Sequence, residues 1–151
     1  MLENHADEQQ ETQEAQVAQE AQVLQPPTWA RSRGYANGIS VHSTGRLVFI
    51  SGQIGWDEQC RFQSSDFVSQ VRQTLQNVLT VLAEAGGKPE HLVRLTWYIV
   101  DKQEYLARGR EIGSVYRELM GSHYPTMSVV QVAGLLEDMA RVEIEATAMI
   151  P

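Results

Sequence analysis

Glu143 and Glu145 stand two residues apart in the run Arg141-Val142-Glu143-Ile144-Glu145-Ala146-Thr147-Ala148. A carboxylate held in a cleft can act as a general base or anchor a water, and ion pairing at an interface is the other use of such a pair. Tyr35 offers a hydroxyl to a ligand or an amphipathic packing surface at a subunit edge. Trp56, Trp97 and Tyr98 could wall a pocket for a flat ligand or serve as core packing. Trp97 and Tyr98 are neighbours on a strand and point to opposite faces, so at most one lines a given cleft. Arg31, Arg33 and Arg94 are the cations available to an anionic ligand, with solvated surface positions as their other reading. His123, in the loop before Pro125, belongs at a cleft mouth or on the surface. His5, His42 and His91 show no ligand spacing with Cys60 or with one another, so no metal site is expected. Cys60 also lacks a neighbouring His to activate it.

The elements that position these groups follow from periodicity. Apolar residues alternate with polar ones from Arg141 to Ala148, which sets Val142, Ile144, Ala146 and Ala148 against a core and turns Glu143, Glu145 and Thr147 the other way. Phe67, Val68, Val71, Leu75, Val78, Leu79 and Leu82 recur at helical spacing after the capping group Ser64-Ser65-Asp66, and Gly86-Gly87 supplies a stop. His91 to Val100 reads as a strand rich in β-branched and aromatic residues. A second helix is predicted from about Gln103 to Met120, with Leu106, Ile112, Val115, Tyr116 and Leu119 inward and Gly109 and Gly113 allowing close approach. Met127 to Val132 reads as a strand, with Gly134 to Ala140 as a connector. Tyr35 to Val41 and Leu47 to Ile54 read as a hairpin across Ser43-Thr44-Gly45, followed by an irregular edge from Trp56 to Phe62. Two helices cover one face of such a sheet. The other face is expected to carry Met127, Val129 and aromatic neighbours and to be covered by copies of the chain.

Composition bounds the rest. The 151 residues suit one folded domain, placed at 29–151. Residues 1–28 are read as a disordered acidic arm rich in Gln, Glu and Ala, closed by Pro26 and Pro27. Of the 19 acids, six (Glu3, Asp7, Glu8, Glu11, Glu14 and Glu20) lie in this arm, so the remainder is nearly balanced against the 12 bases despite a net charge of −7. Nothing in that balance favours phosphate neutralisation, and no nucleic-acid partner is expected. No apolar run approaches the roughly 20 residues of a membrane span, and the start lacks the pattern of a secretory signal. With a single cysteine, these features predict a cytoplasmic protein and no membrane partner.

The order of elements and three local motifs resemble the YjgF-type Rid (reactive intermediate deaminase) family. Gly34-Tyr35-Ala36-Asn37-Gly38 is similar to its opening glycine-tyrosine turn, Phe49-Ile50-Ser51-Gly52-Gln53-Ile54 to its second strand, and Val142-Glu143-Ile144-Glu145-Ala146 to its closing strand. The resemblance runs from about Tyr35 to Ile150 in the expected order. It implies a mixed α/β (α+β) fold of chorismate-mutase-like type, with two helices on one face of the sheet. It also implies a homotrimer whose three sheets form a central barrel, a small-molecule metabolite bound in each intersubunit cleft, and no cofactor or metal.

In the deaminase branch of that family, an arginine two residues after the proline of the fifth strand binds the carboxylate of a 2-imino or 2-enamino acid. A water oriented by the first glutamate of the last strand attacks the imine carbon and releases ammonia. By position, Tyr35, Ser51 and Gly52 match the ligand-binding residues and Glu143 the water-orienting glutamate. The arginine has no counterpart, because Pro125-Thr126-Met127 stands where the branch has proline, a small residue and arginine. A charged hydrogen bond is worth about 1.5–3 kcal/mol, so losing a bidentate pair costs a carboxylate substrate on the order of a hundredfold or more. The resemblance therefore implies a metabolite-binding Rid protein with weak or absent 2-imino acid deaminase activity, its ligand residues being Tyr35, Ser51, Gly52, Met127 and Trp97. The alternative is an active imine or enamine deaminase, or a related hydrolase, that uses Glu143 and a substitute arginine. Ribonuclease activity ranks below both, since the chain is acidic and has no basic, aromatic surface.

Overall fold

The strongest amphipathic segment, Phe67–Glu84, forms helix α1 and organises the layer above the main sheet. In the computed structural model, which describes residues 21–41 and 45–151, Phe67, Val71, Leu75, Val78 and Leu82 are each essentially inaccessible to solvent. Burying side chains of this size contributes roughly 1.5–3 kcal/mol apiece before entropy is counted. Asp66 caps the helix by accepting a hydrogen bond from the Ser69 amide at 2.8 Å. Gly86 ends it at φ +76°, a backbone state that disfavours side chains.

The sheet beneath contains β3 (Arg46–Ile54), β4 (Leu92–Ile99), β5 (Thr126–Gln131) and β6 (Val142–Ile150) in the order β3-β6-β4-β5. β6 is antiparallel to both neighbours, whereas β4 and β5 are parallel. Val142, Ile144, Ala146 and Ala148 are buried under the helices, as the alternation predicts. Two short strands, β1 (Gln22–Leu24) and β2 (Gly38–Ser40), form a separate antiparallel pair.

Four expectations are corrected. The hairpin between Tyr35 to Val41 and Leu47 to Ile54 does not form: β2 pairs with β1, and Ala36 bridges Thr126 with its amide donating to Pro125 O at 3.0 Å. That bond ties the Tyr35 segment to the β5 edge, at the opposite side of the sheet from β3. Ser43 and Thr44 of the expected turn, His42 and residues 1–20 lie outside the described residues. The end of the expected arm is strand, because Gln22–Leu24 find partners in β2 and Leu24 packs over Gly38.

The predicted second helix is two, α2 (Lys102–Ala107) and α3 (Gly109–Met120), separated at Arg108, which bonds to Asp66 and Glu111. The break shifts the phase, so Leu106 is exposed while Ile112, Val115 and Tyr116 are buried. Finally, Met127 and Val129 lie on the helix-covered face, not the bare one. The parallel register pairs Met127 with Leu95 and Val129 with Trp97, and both partners are buried in the core.

Candidate functional site

Met127 forms part of a recess where the β4–β5 edge meets α2 and α3. The recess has a volume of about 410 Å³, within the range of small-molecule sites. Its walls are strongly aromatic. Tyr116 and Tyr124 stack with ring centroids 5.2 Å apart, and Trp97 meets Tyr105 edge-on at 6.4 Å. The Ala36 bond to Pro125 brings the half-exposed Tyr35 over the same opening. Burial pushes the Tyr105 and Tyr116 hydroxyls above their ordinary values, and the Tyr116 hydroxyl is already donated to His123 O at 3.0 Å.

One helix face opens this space. Gly109, Gly113 and Arg117 lie four residues apart along α3, and a side chain at Gly109 would meet nothing within 4 Å. The bare Cα of Gly113 leaves room for the Arg117 guanidinium, whose nitrogen would lie 3.3 Å from a Cβ built there. Arg33 and Arg117 both line the recess, and no Asp or Glu does. The glycines expected to allow backbone approach therefore shape a cavity instead.

The remaining predicted residues gather elsewhere. Glu143 projects from the bare face of β6, in register with Tyr98, and its carboxylate lies over Gly52. A Cβ at Gly52 would fall 1.9 Å from Glu143 Oε1, so only glycine permits this placement. The bulge in β3 between Ile50 and Gln53 contains both Ser51 and Gly52. Beside them a shallow depression of about 440 Å³ is lined by Ser51, Arg94, Thr96 and Glu145 among others. Glu145 accepts from the Tyr98 hydroxyl at 3.2 Å and sits 3.9 Å from Arg94. Desolvation first, and then the Glu145 charge, raise the Tyr98 hydroxyl above its usual value.

The predicted set thus divides into two groups on opposite faces of one sheet. Tyr35, Trp97 and Met127 share the recess; Ser51, Gly52 and Glu143 share the bare face. Trp56 belongs to neither, since it bridges Phe62 in the loop beyond β3 and its carbonyl accepts from Asn77 at 2.8 Å. His123 is held structurally, with Nε2 at 2.7 Å from Leu92 O, and His91 Nδ1 accepts from the Lys88 amide at 3.0 Å. Of the three nominated arginines, Arg33 reaches the recess, Arg94 pairs with Glu145 on the bare face, and Arg31 lines neither hollow. Arg117 was missed, although its four-residue spacing from Gly113 and Gly109 was a readable signal. Among the described residues, no three His, Cys, Asp or Glu side chains come together as a metal site. No described helix is long and apolar enough to cross a membrane.

These features define a class: an α+β domain with a mixed four-stranded sheet, helices on one face, and an edge recess beside a bare face carrying carboxylates. A family model described as Endoribonuclease L-PSP matches residues 28–150. A 2-iminobutanoate/2-iminopropanoate deaminase from Salmonella typhimurium is 30% identical over 118 residues, covering 76% of this chain and 86% of the relative. A RutC family protein from Haemophilus influenzae is 33% identical over 105 residues, covering 70% and 80% respectively. Among solved structures, the Rid family protein YyfB from Yersinia pestis, itself of unknown function, superposes with a TM-score of 0.77. It is 28% identical and covers 86% of this chain and 98% of its own. The chain belongs to the YjgF-type Rid family.

Proposed function

We propose that this chain binds a small metabolite in clefts completed by neighbouring copies of a cytoplasmic homotrimer, and that it hydrolyses 2-imino acids weakly or not at all. The observation that carries the reading is the Met127 thioether on the wall of the aromatic recess; from the resemblance of Pro125-Thr126-Met127 we take this position as the one where the deaminase branch has its arginine. A thioether is soft and apolar and gives a carboxylate neither charge nor a hydrogen-bond donor. Trp97 and Tyr35 beside it favour a ligand with a flat apolar part.

Support for assembly comes from the bare sheet face, where Leu47, Phe49 and Val130 expose apolar surface around the Arg94, Tyr98 and Glu145 cluster. Phe49 alone is 74% exposed, and a face of this kind is ordinarily covered. A copy docking there would bring Ser51, Gly52 and Glu143 into a subunit boundary.

The test is ammonia release from 2-iminobutanoate generated in situ. Negligible release by the native protein, with a rise in Met127→Arg, supports the reading. Substantial turnover by the native protein that disappears in Glu143→Gln sinks it. That outcome would favour the second reading, an active deaminase with a substitute cation, for which Arg33 at the recess is the specific support.

A further inference from the structure

We propose that Arg33 and Arg117 form an anion clamp at the recess, so that its ligand is an aromatic or heteroaromatic carboxylate. This inference deepens the reading of the recess as the ligand site and rests on it. The two guanidiniums hold the carboxylate while the ring lies against Met127 and the tyrosine and tryptophan walls.

Charge accounting across the molecule sets these two residues apart. Arg61, Arg72, Arg94, Arg108 and Arg141 each have an acidic partner, at Asp57, Glu118, Glu145, Glu111 and Glu104 respectively. Arg46 donates to Ala85 O at 2.7 Å. Among the described residues Arg33 and Arg117 make no ion pair and, unlike Arg31 and Arg110, they line the recess. In a domain whose acids and bases are nearly balanced overall, a hollow with two guanidiniums and no carboxylate on its walls is a locally positive site.

Local geometry gives the clamp its direction. Helical side chains lean toward the N-terminus of their helix, which carries Arg117 back over Gly113 and toward Gly109. Those two positions are the ones without side chains on that face, so the cation lies along a cleared track. Tyr116 cannot take the anion-binding role because its hydroxyl is donated to His123 O. The planar fork of a guanidinium donates to both oxygens of a carboxylate at once, which a neutral amide cannot match. Neutral flat molecules would use the walls alone.

The experiment compares 2-naphthoate with its uncharged amide, 2-naphthamide, binding to the full-length protein at low and moderate salt, followed by calorimetry. Naphthoate should bind at least about tenfold more tightly than naphthamide, from one added charged contact. Its affinity should fall as salt rises, whereas that of naphthamide should not. Arg117→Gln and Arg33→Gln should each weaken naphthoate while leaving naphthamide within about twofold, and Arg117→Lys should recover part of the loss. Equal binding of the two probes, or selectivity unchanged in both Gln variants, overturns the clamp and leaves the recess standing as a site. Failure of both probes to bind overturns the recess and the clamp together. Ammonia release is a separate readout, so a failed clamp is distinguishable from a failed reading of weak catalysis.

Discussion

Replacing Gln70 with leucine should cost about 3 kcal/mol of stability, although the residue lines neither hollow. Gln70 occupies the buried stripe of α1 and is 1% exposed. Its amide nitrogen donates to Ser64 O at 3.0 Å and to Met139 O at 2.9 Å, and its oxygen accepts from the Arg141 amide at 2.9 Å. One side chain therefore fastens the entry to α1, the connector after β5 and the residue just before β6. Leucine has nearly the same volume, so no large cavity opens and the loss is one of hydrogen bonds. Each is worth about 0.5–1.5 kcal/mol, and the three backbone groups left behind are partly buried without a replacement partner. For a domain of this size, about 3 kcal/mol corresponds to a drop in Tm of roughly 6–12 °C. Urea unfolding at fixed protein concentration measures the change, with an unaltered slope showing that both end states are preserved. Amide exchange at Arg141 should accelerate in the same variant. A loss below about 1 kcal/mol, or an unchanged Arg141 amide, would refute the view that this network holds the start of β6.

Asp66→Ala should destabilise the protein by about 1 kcal/mol at pH 7 through loss of the α1 cap. The Ser69 amide, with further help from the Ser69 hydroxyl and Arg108, holds the Asp66 carboxyl below its ordinary value, so its contribution is complete above about pH 4. It is lost as pH falls through the lowered value, and paired acid titrations of native and variant protein should converge there. Gly52→Ala should expel the Glu143 carboxylate, which a Cβ would approach to 1.9 Å. Made in a Met127→Arg background, it should reduce ammonia release as far as Glu143→Gln does while the Tm stays close to that of the parent. Gly113→Ala should raise stability by about 0.5–1 kcal/mol through helix propensity and weaken naphthoate binding by crowding Arg117, two shifts of opposite sense read by melting and calorimetry.

Elements whose pattern is local were legible in the sequence. The stripe from Phe67 to Leu82, the Asp66 cap, the Gly86 stop and the alternation of β6 each depend on a few neighbouring residues, and each is present in the structure. Facing was legible only where one side of a strand is clearly polar. In β5, Met127 and Val129 alternate with Ser128 and Val130, so apolar residues occur on both sides and alternation leaves the inner one undetermined. Pairing with β4 decides it, and that register is non-local. Gln70 was hidden for the converse reason: a polar residue in an apolar stripe reads as noise until its three backbone partners, two of them about 70 positions away, are brought in by the fold. For Arg117 the local signal is its four-residue spacing from Gly113 and Gly109, whereas the absence of acids around the recess is set by elements distant in sequence and cannot be read from its neighbours.

The division of the site between two faces constrains any catalytic reading more strongly than the identity of residue 127. Met127 is on β5 and Glu143 on β6, with β4 between them. Two strand spacings separate their backbones by about 10 Å, and the side chains then point away from each other through the sheet. A ligand in the recess of one copy is therefore out of reach of that copy's Glu143. Hydrolysis that uses both positions needs the carboxylate of a second copy, and mixed assemblies test this directly. In the Met127→Arg background, adding Glu143→Gln subunits that retain Met127 should lower activity in proportion to the boundaries at which a Gln faces an Arg-bearing recess. Activity that instead tracks only the fraction of chains carrying both the Met127→Arg change and an intact Glu143 would place the whole reaction within single copies, in conflict with the opposed faces.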